Sequence, residues 1–294
     1  MIELKDGDLA ATIDPSYGNN VRSLRLRGEE FLWTTERGRL DGIPLLAPWA
    51  NRIDGREYFA NGKKYLLNPG LDNLRFDANH LPIHGLLLFA DVWKIVRQDE
   101  SSATTRLEFW RNPDWMAQFP FAHAIEITHR LRDGTLEIEI AIQNLSVQPM
   151  PLAIGFHPYF QLTDSPRDDW RVHIAARRQV LLSAKLIPTG ETKALDSPNP
   201  FPLRGQALDT VFDDVTGEAF VIEGRGQRIE VQFGPKFPVA IVYAPAGGAF
   251  VCIEPMTALT NAFNLDHAGI PAKLQHIRPG ETWRESFSIK PTAV

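Results

Sequence analysis

The sequence of 294 residues is long enough for two average domains, although all-β sandwiches and barrels of roughly 200–250 residues run as one. With 44% hydrophobic residues, it can bury roughly three quarters of the surface that its unfolded form exposes, so a core needs no covalent staples. A net charge of −5 without a run of five like charges excludes an electrostatic grip on nucleic acid or an acidic membrane, and the single cysteine, Cys252, excludes an intrachain disulfide and a cysteine-based zinc site.

The first residues, Met1 to Asp8, are too polar for the apolar part of a secretion signal, and no apolar run approaches the ~18 residues of a membrane span, so a cytoplasmic location is expected. Apolar residues at helical spacing are not sustained over three turns anywhere. Alternation takes their place, at Leu9–Asp14, Asp91–Gln98, Ala103–Trp110, Ala124–Leu131 and Thr135–Asn144. In the last of these, Leu136, Ile138, Ile140 and Ile142 share one face and Glu137, Glu139 and Gln143 the other, the period of a half-buried antiparallel strand. The pattern resumes at Trp170–Ile174, Arg178–Ser183, Ala219–Glu223, Arg228–Phe233, Val239–Tyr243, Ala249–Ile253 and Glu285–Lys290. Asn61-Gly62, Asp133-Gly134 and Gly247-Gly248 read as turns between strands. Many short strands with almost no helix predict an all-β fold, a large antiparallel sandwich or barrel in a single domain over residues 1–294. Pro188–Gly205, rich in proline and polar residues, is expected to be a long functional loop inside that domain.

Four stretches break the alternation. Gly42–Ile53 is nearly uncharged, carries Pro44 and Pro48, and ends in Asn51-Arg52; Arg52 is either a fork of donors for hydroxyls or a carboxylate, or a surface arginine after a buried loop. Asn79–Gly85 holds His80 and His84, four apart, but Pro82 between them removes the helical geometry that would make the spacing a metal pair. His84, between Ile83 and Gly85, reads as an imidazole held close to a backbone turn. In Ala153–Phe160, His157 stands among aromatics before Pro158, which desolvates the ring and favours its neutral form unless a carboxylate is near; a core histidine with one backbone hydrogen bond is the alternative. In Ala249–Thr257, Glu254 closes an apolar run that Pro255 is expected to stop, so its carboxylate is paired, raised in pKa for base chemistry, or emerging into solvent. No dinucleotide fingerprint, phosphate loop, GxSxG elbow, CxxC or calcium loop occurs. What remains is a pocket of His, Glu, Asp and Arg with 7 tryptophans and 17 phenylalanines in the chain, a set suited to hydroxyls and sugar rings.

These stretches, in this order, resemble the aldose 1-epimerase (galactose mutarotase-like) family. Pro48–Ile53 is similar to its arginine segment, Ile83-His84-Gly85 and Gly155–Phe160 to its histidine segments, Leu208–Phe212 to its aspartate segment and Ile253–Thr257 to its glutamate segment. Ile277–Thr282 is similar to its closing turn. The resemblance implies a β-supersandwich with an open cleft, no metal and no organic cofactor. It implies Glu254 as the base that takes the proton of the anomeric hydroxyl, His157 as the acid that protonates the ring oxygen, and His84 as a second imidazole near them. Arg52 and Asp209 are implied to hold sugar hydroxyls. The expected partner is a small-molecule sugar, with neither nucleic acid nor membrane, and the expected assembly a monomer or homodimer. Pro48, Pro82, Pro158 and Pro255 each lie within four residues of Arg52, His84, His157 or Glu254, as if to stiffen the backbone that carries them.

The expected activity is interconversion of the anomers of a free aldose. A hexose 6-phosphate epimerase of the same fold is an alternative, for which Arg75, Arg56 and Lys273 are the available cations. A sugar-binding module leaves the acid–base pair without a use, and a glycosidase built on Asp209 and Glu254 leaves both histidine segments unexplained.

Overall fold

A computed structural model of the chain describes residues 1–293. The alternating segments become strands because each places its apolar side chains on one face. In Thr135–Asn144, Leu136, Ile138, Ile140 and Ile142 are at most 1% exposed, and burying each stabilises the fold by roughly 1.5–3 kcal/mol. That strand pairs with His123–Arg132 through Asp133-Gly134, whose φ angles of 52° and 73° make the mirror-image turn that suits strand twist. Asn61-Gly62, with φ 51° and 71°, does the same for Glu57–Ala60 and Lys63–Leu66.

Two large sheets dominate, and every strand pairing in them is antiparallel. The nine-stranded sheet has Thr282–Ala293 and Thr135–Asn144 near its centre and Lys94–Gln98 at one edge. The eight-stranded sheet runs from Pro188–Ala194 through Ala176–Leu182, Leu208–Val215, Val239–Ala244 and Val251–Met256 to the short strands Gly155–Phe156 and Leu45–Leu46, with Tyr159–Phe160 also on Val251–Met256. A four-stranded sheet from Ile2–Asp6 to Glu29–Glu30 adds a flank. One hydrophobic cluster runs from Ile2 to Ile289. Phe156 of the eight-stranded sheet meets Phe287 of the nine-stranded sheet at 4.9 Å between ring centroids, so Phe156 points into the space between the layers. The arrangement is a β-supersandwich.

Two expectations are corrected. Pro188–Gly205 is not one long loop: Pro188–Ala194 is an edge strand of the eight-stranded sheet, and Phe201-Pro202 an edge strand of the nine-stranded one. An edge strand exposed on both faces, as Pro188–Ala194 is after its first residue, has no alternation to reveal it. Nor does Pro255 stop its strand, which continues to Met256 with Pro255 opposite Ala240. On its other side the neighbouring strand is interrupted between Phe156 and Tyr159, so a residue without an N–H costs no ladder bond there.

Candidate active site

That interruption builds the site. Gly155 pairs with Met256 and Tyr159 with Cys252, so the register sets His157 directly opposite Glu254. Pro158 and Pro255 hold the backbones on either side. Because side chains alternate along a strand, Phe156 and Phe160 enter the core while His157 and Tyr159 turn to the other face of the sheet. There the imidazole and the Tyr159 ring stack, with centroids 4.6 Å apart and planes at 9°. His157 Nε2 lies 3.3 Å from Glu254 Oε1, and both side chains are nearly inaccessible, at 7% and 2%.

The Gly42–Ile53 segment runs beside this interrupted strand at the edge of the sheet. Pro44 accepts a hydrogen bond from the His157 N–H at 3.0 Å, Gly42 one from Tyr159 at 2.8 Å, and Ala153 one from Ala50 at 2.6 Å. Ala47 runs alongside Gly85 so closely that a Cβ on Gly85 would stand 2.1 Å from the Ala47 oxygen; with φ 66°, this position requires glycine. The contact fixes the turn that carries His84. The N–H of His84 donates to the Asn51 carbonyl at 2.9 Å, and both residues hold left-handed backbone, φ 63° for His84 and 56° for Asn51. Such conformations are uncommon for side chains larger than glycine and cluster at functional sites. The His84 and His157 rings meet edge to face at 5.5 Å.

Arg52 follows Asn51. Its Nε donates to Asp77 Oδ2 at 2.6 Å and its Nη1 to Asn51 Oδ1 at 3.0 Å. Asp77 is itself clamped, its Oδ1 accepting from the N–H groups of Asn79 and Leu81 at 2.9 Å each. On the opposite side of the site the ladder sets Asp209 beside Tyr243 and Tyr243 beside Cys252, so these residues share the face that carries Glu254. Arg52, His84, His157, Asp209 and Glu254 thus line one cavity of about 220 Å³, with Leu40, Asn51, Ile83, Tyr159 and Tyr243. All the site residues inferred from sequence come together in it, from segments up to 202 positions apart (254 − 52).

Electrostatics in the cavity follow from the burial of its side chains. Burial raises the Glu254 carboxyl well above its ordinary range, and the neighbouring Asp209 adds to this, while the Arg52 charge opposes it. Burial lowers His157 from 6.5 to about 3, and it also lowers His84 well below the ordinary histidine value, with help from the charges of His157, Arg52 and Arg75. Asp209 is raised by desolvation, again against Arg52. His157 Nδ1, His84 Nδ1 and Glu254 Oε2 are buried and find no hydrogen-bond partner within the protein. A fold that leaves three such atoms in one pocket has them available to a ligand. Among the described residues, no group of three or more His, Cys, Asp and Glu has the arrangement to hold a metal ion.

Other residues fall elsewhere. His80 is exposed, with φ 58°, and takes no part in the cavity. Arg56 lies over the Phe76 ring at 5.8 Å and Arg75 over Phe89 at 4.2 Å, and neither lines the cavity, nor does Lys273. Cys252 is fully buried beneath the site. Sequence reasoning gave no role to Asp77, Asn51 or Tyr243. The turn in which Asp77 accepts from the N–H groups of Asn79 and Leu81 shows only in the structure, and Tyr243 needed the strand register.

Comparison with known proteins agrees with the geometry. The family model described as Aldose 1-epimerase matches residues 1–290. The Escherichia coli (strain K12) protein YphB is 25% identical over 257 residues, covering 83% of this chain and 82% of that one. Among solved structures, a galactose mutarotase-like protein from Clostridium acetobutylicum superposes with a TM-score of 0.87 at 20% identity, covering 99% of this chain and 95% of the other. The aldose epimerase homologue from C. elegans does so with 0.79 at 20%, covering 100% and 98%. Among the described residues, no helix is long and apolar enough to cross a membrane. On the match over nearly its whole length, the chain belongs to the aldose 1-epimerase family.

Proposed function

We propose that this protein is a mutarotase, an isomerase that interconverts the α and β anomers of a free aldose by acid–base ring opening and reclosure. The observation that carries the reading is the buried pair of His157 and Glu254, 3.3 Å apart across an interrupted ladder. Anomer exchange takes one proton from O1 and gives one to the ring oxygen; the open aldehyde then turns about C1–C2, and reclosure returns both protons. Glu254 is the base at O1 and His157 the acid at the ring oxygen. Ring opening therefore converts a carboxylate and an imidazolium into a carboxylic acid and a neutral imidazole. Burial favours the uncharged pair, the form reached when the ring opens, so the carboxylate–imidazolium pair that starts the step costs free energy to form, a cost that the Arg52 charge reduces by favouring the carboxylate of Glu254. In this scheme His84 donates or accepts beside the reacting oxygens, and Arg52 and Asp209 hold hydroxyls. The partner is a small sugar, and no step calls on a metal or an organic cofactor.

The test is polarimetry or NMR of freshly dissolved single anomers of neutral hexoses and pentoses, with glucose 6-phosphate alongside. Faster equilibration than in buffer is expected for a neutral sugar; no acceleration across the panel refutes the reading. A phosphosugar substrate has one observation in its favour, the Arg75 guanidinium packed on Phe89 rather than on a carboxylate, with its backbone oxygen bound to Ile83 N–H at the cavity wall. Strong preference for glucose 6-phosphate over glucose would select it. A binding module predicts calorimetric affinity without turnover.

A further inference from the structure

The side of the cavity that carries Asp209 and Tyr243 rests on two strand ends. Asp209 is the second residue of Leu208–Val215, and Tyr243 the last but one of Val239–Ala244. Along this neighbour, Leu208 to Asp213 pair with Ala244 to Val239. Along the other, Ala176–Leu182, the register pairs Val215, Asp213 and Phe212 and, among the described residues, goes no further toward Asp209. The start of the strand therefore has a ladder on one side only, and an end held in that way opens readily. A carboxylate that has to meet a sugar hydroxyl to within about 0.5 Å needs a firmer support.

Arg167 supplies it. This arginine belongs to the short turn Arg167–Asp169, does not line the cavity, and is only 8% exposed. Its Nη1 donates to the Leu203 carbonyl at 2.7 Å, and its Nη2 to the carbonyls of Gln206 at 2.9 Å and Ala244 at 3.0 Å. One rigid fork thus ties the segment that leads into Asp209 to the residue that follows Tyr243. Its ion pair, with Asp168 at 3.5 Å, is half exposed on the carboxylate side, so backbone oxygens do most of the work of satisfying the buried guanidinium. Taking that charge out of water costs free energy that an aliphatic side chain here would avoid, and the three carbonyl contacts are what the arginine gives in return. Asp169 of the same turn accepts from Arg204, and the Leu203 N–H donates to the Trp170 carbonyl at 3.1 Å, so the turn and the segment before Asp209 are joined at several points.

We propose that Arg167 is a positioning residue for the sugar site: it clamps the ends of both strands so that Asp209, with Tyr243 beside it, meets the ring hydroxyls, and it acts on sugar affinity rather than on the proton transfers of Glu254 and His157. This rests on the mutarotase reading above. The test is steady-state mutarotation, with the neutral sugar that the wild-type protein accelerates most, in Arg167→Gln, Asp209→Ala and the double variant. Arg167→Gln is expected to raise KM about three- to tenfold with less than about a twofold change in kcat. Asp209→Ala raises KM as well, and since the arginine acts through the aspartate, the two increases do not multiply in the double variant. A KM that Arg167→Gln leaves unchanged, or increases that multiply, overturns the positioning role alone. Hydrogen exchange of the wild-type backbone gives a measure that does not depend on how the variants fold. Residues 208–210 are expected to exchange as slowly as residues 211–213, and fast exchange at 208–210, the mark of a frayed end, overturns the clamp. Acceleration of no sugar by the wild-type protein overturns the mutarotase reading and the role in affinity with it.

Discussion

Replacing Glu254 by glutamine separates catalysis from folding at this site. The amide has the shape of the carboxylic acid that burial already favours, and it removes the repulsion from Asp209, so unfolding free energy should change by less than about 1 kcal/mol. The amide cannot take a proton from O1. General acid–base catalysis is worth about 10²–10⁴-fold, so kcat should fall by that factor, equivalent to about 3–5 kcal/mol of barrier. His157→Asn should lose a similar factor. Since Nε2 and Oε1 are 3.3 Å apart and act on one pair of protons, the double variant should be little worse than the more severe single one. Initial rates of optical rotation for a fresh anomer, with denaturant unfolding of each variant, measure both quantities. If Glu254→Gln keeps more than about a tenth of the activity, or if the two losses multiply, the pair is not the acid–base unit described here.

Four other outcomes follow from the same structure. Burial holds His157 near 3, so the loss of kcat/KM that comes from protonating this imidazole should appear near pH 3 rather than at the ordinary histidine value of 6.5, as a pH–rate profile would show. His129, buried without a partner for Nδ1, and His123 are held to about 3 and 4; the unfolded chain protonates them first, so stability is full above 6.5 and falls as pH drops toward those values. For His129 the loss between about pH 8 and pH 5 is about 2 kcal/mol, and His129→Leu should abolish that share in urea unfolding. Gly85→Ala meets the Ala47 carbonyl and a positive φ; a destabilisation of about 3 kcal/mol is expected by thermal unfolding, with lower activity because His84 moves with it. Asp77→Asn leaves Arg52 without its ionised partner and should raise KM roughly tenfold more than it lowers kcat, as steady-state mutarotation would show.

Much of the fold was legible because half-buried strands write their burial into the sequence. Leu136, Ile138, Ile140 and Ile142 alternate, and the structure buries all of them. Asp133-Gly134 and Asn61-Gly62 announced their hairpins for the same kind of local reason, a positive φ at both turn positions. Strands without a one-sided environment were harder. Pro188–Ala194 lies exposed at a sheet edge, and Val251–Met256 is buried on both faces, so neither alternates cleanly and each was misjudged at Pro188 or Pro255.

The chemistry of the site was likewise present in the residue types: an arginine, two histidines, an aspartate and a glutamate, each in a stretch that broke the strand pattern, with prolines close by. The sequence could not by itself choose between a core histidine and a catalytic one at position 157, nor between a paired and a solvent-facing carboxylate at 254. Those alternatives depend on a register between strands almost a hundred residues apart, which long-range pairing alone fixes. Composition and periodicity thus determined an all-β chain with sugar-compatible side chains. Tertiary structure decided that His157 faces Glu254 through a gap in a ladder and that Asp77 anchors Arg52, because each of these is a contact between segments with no local cause.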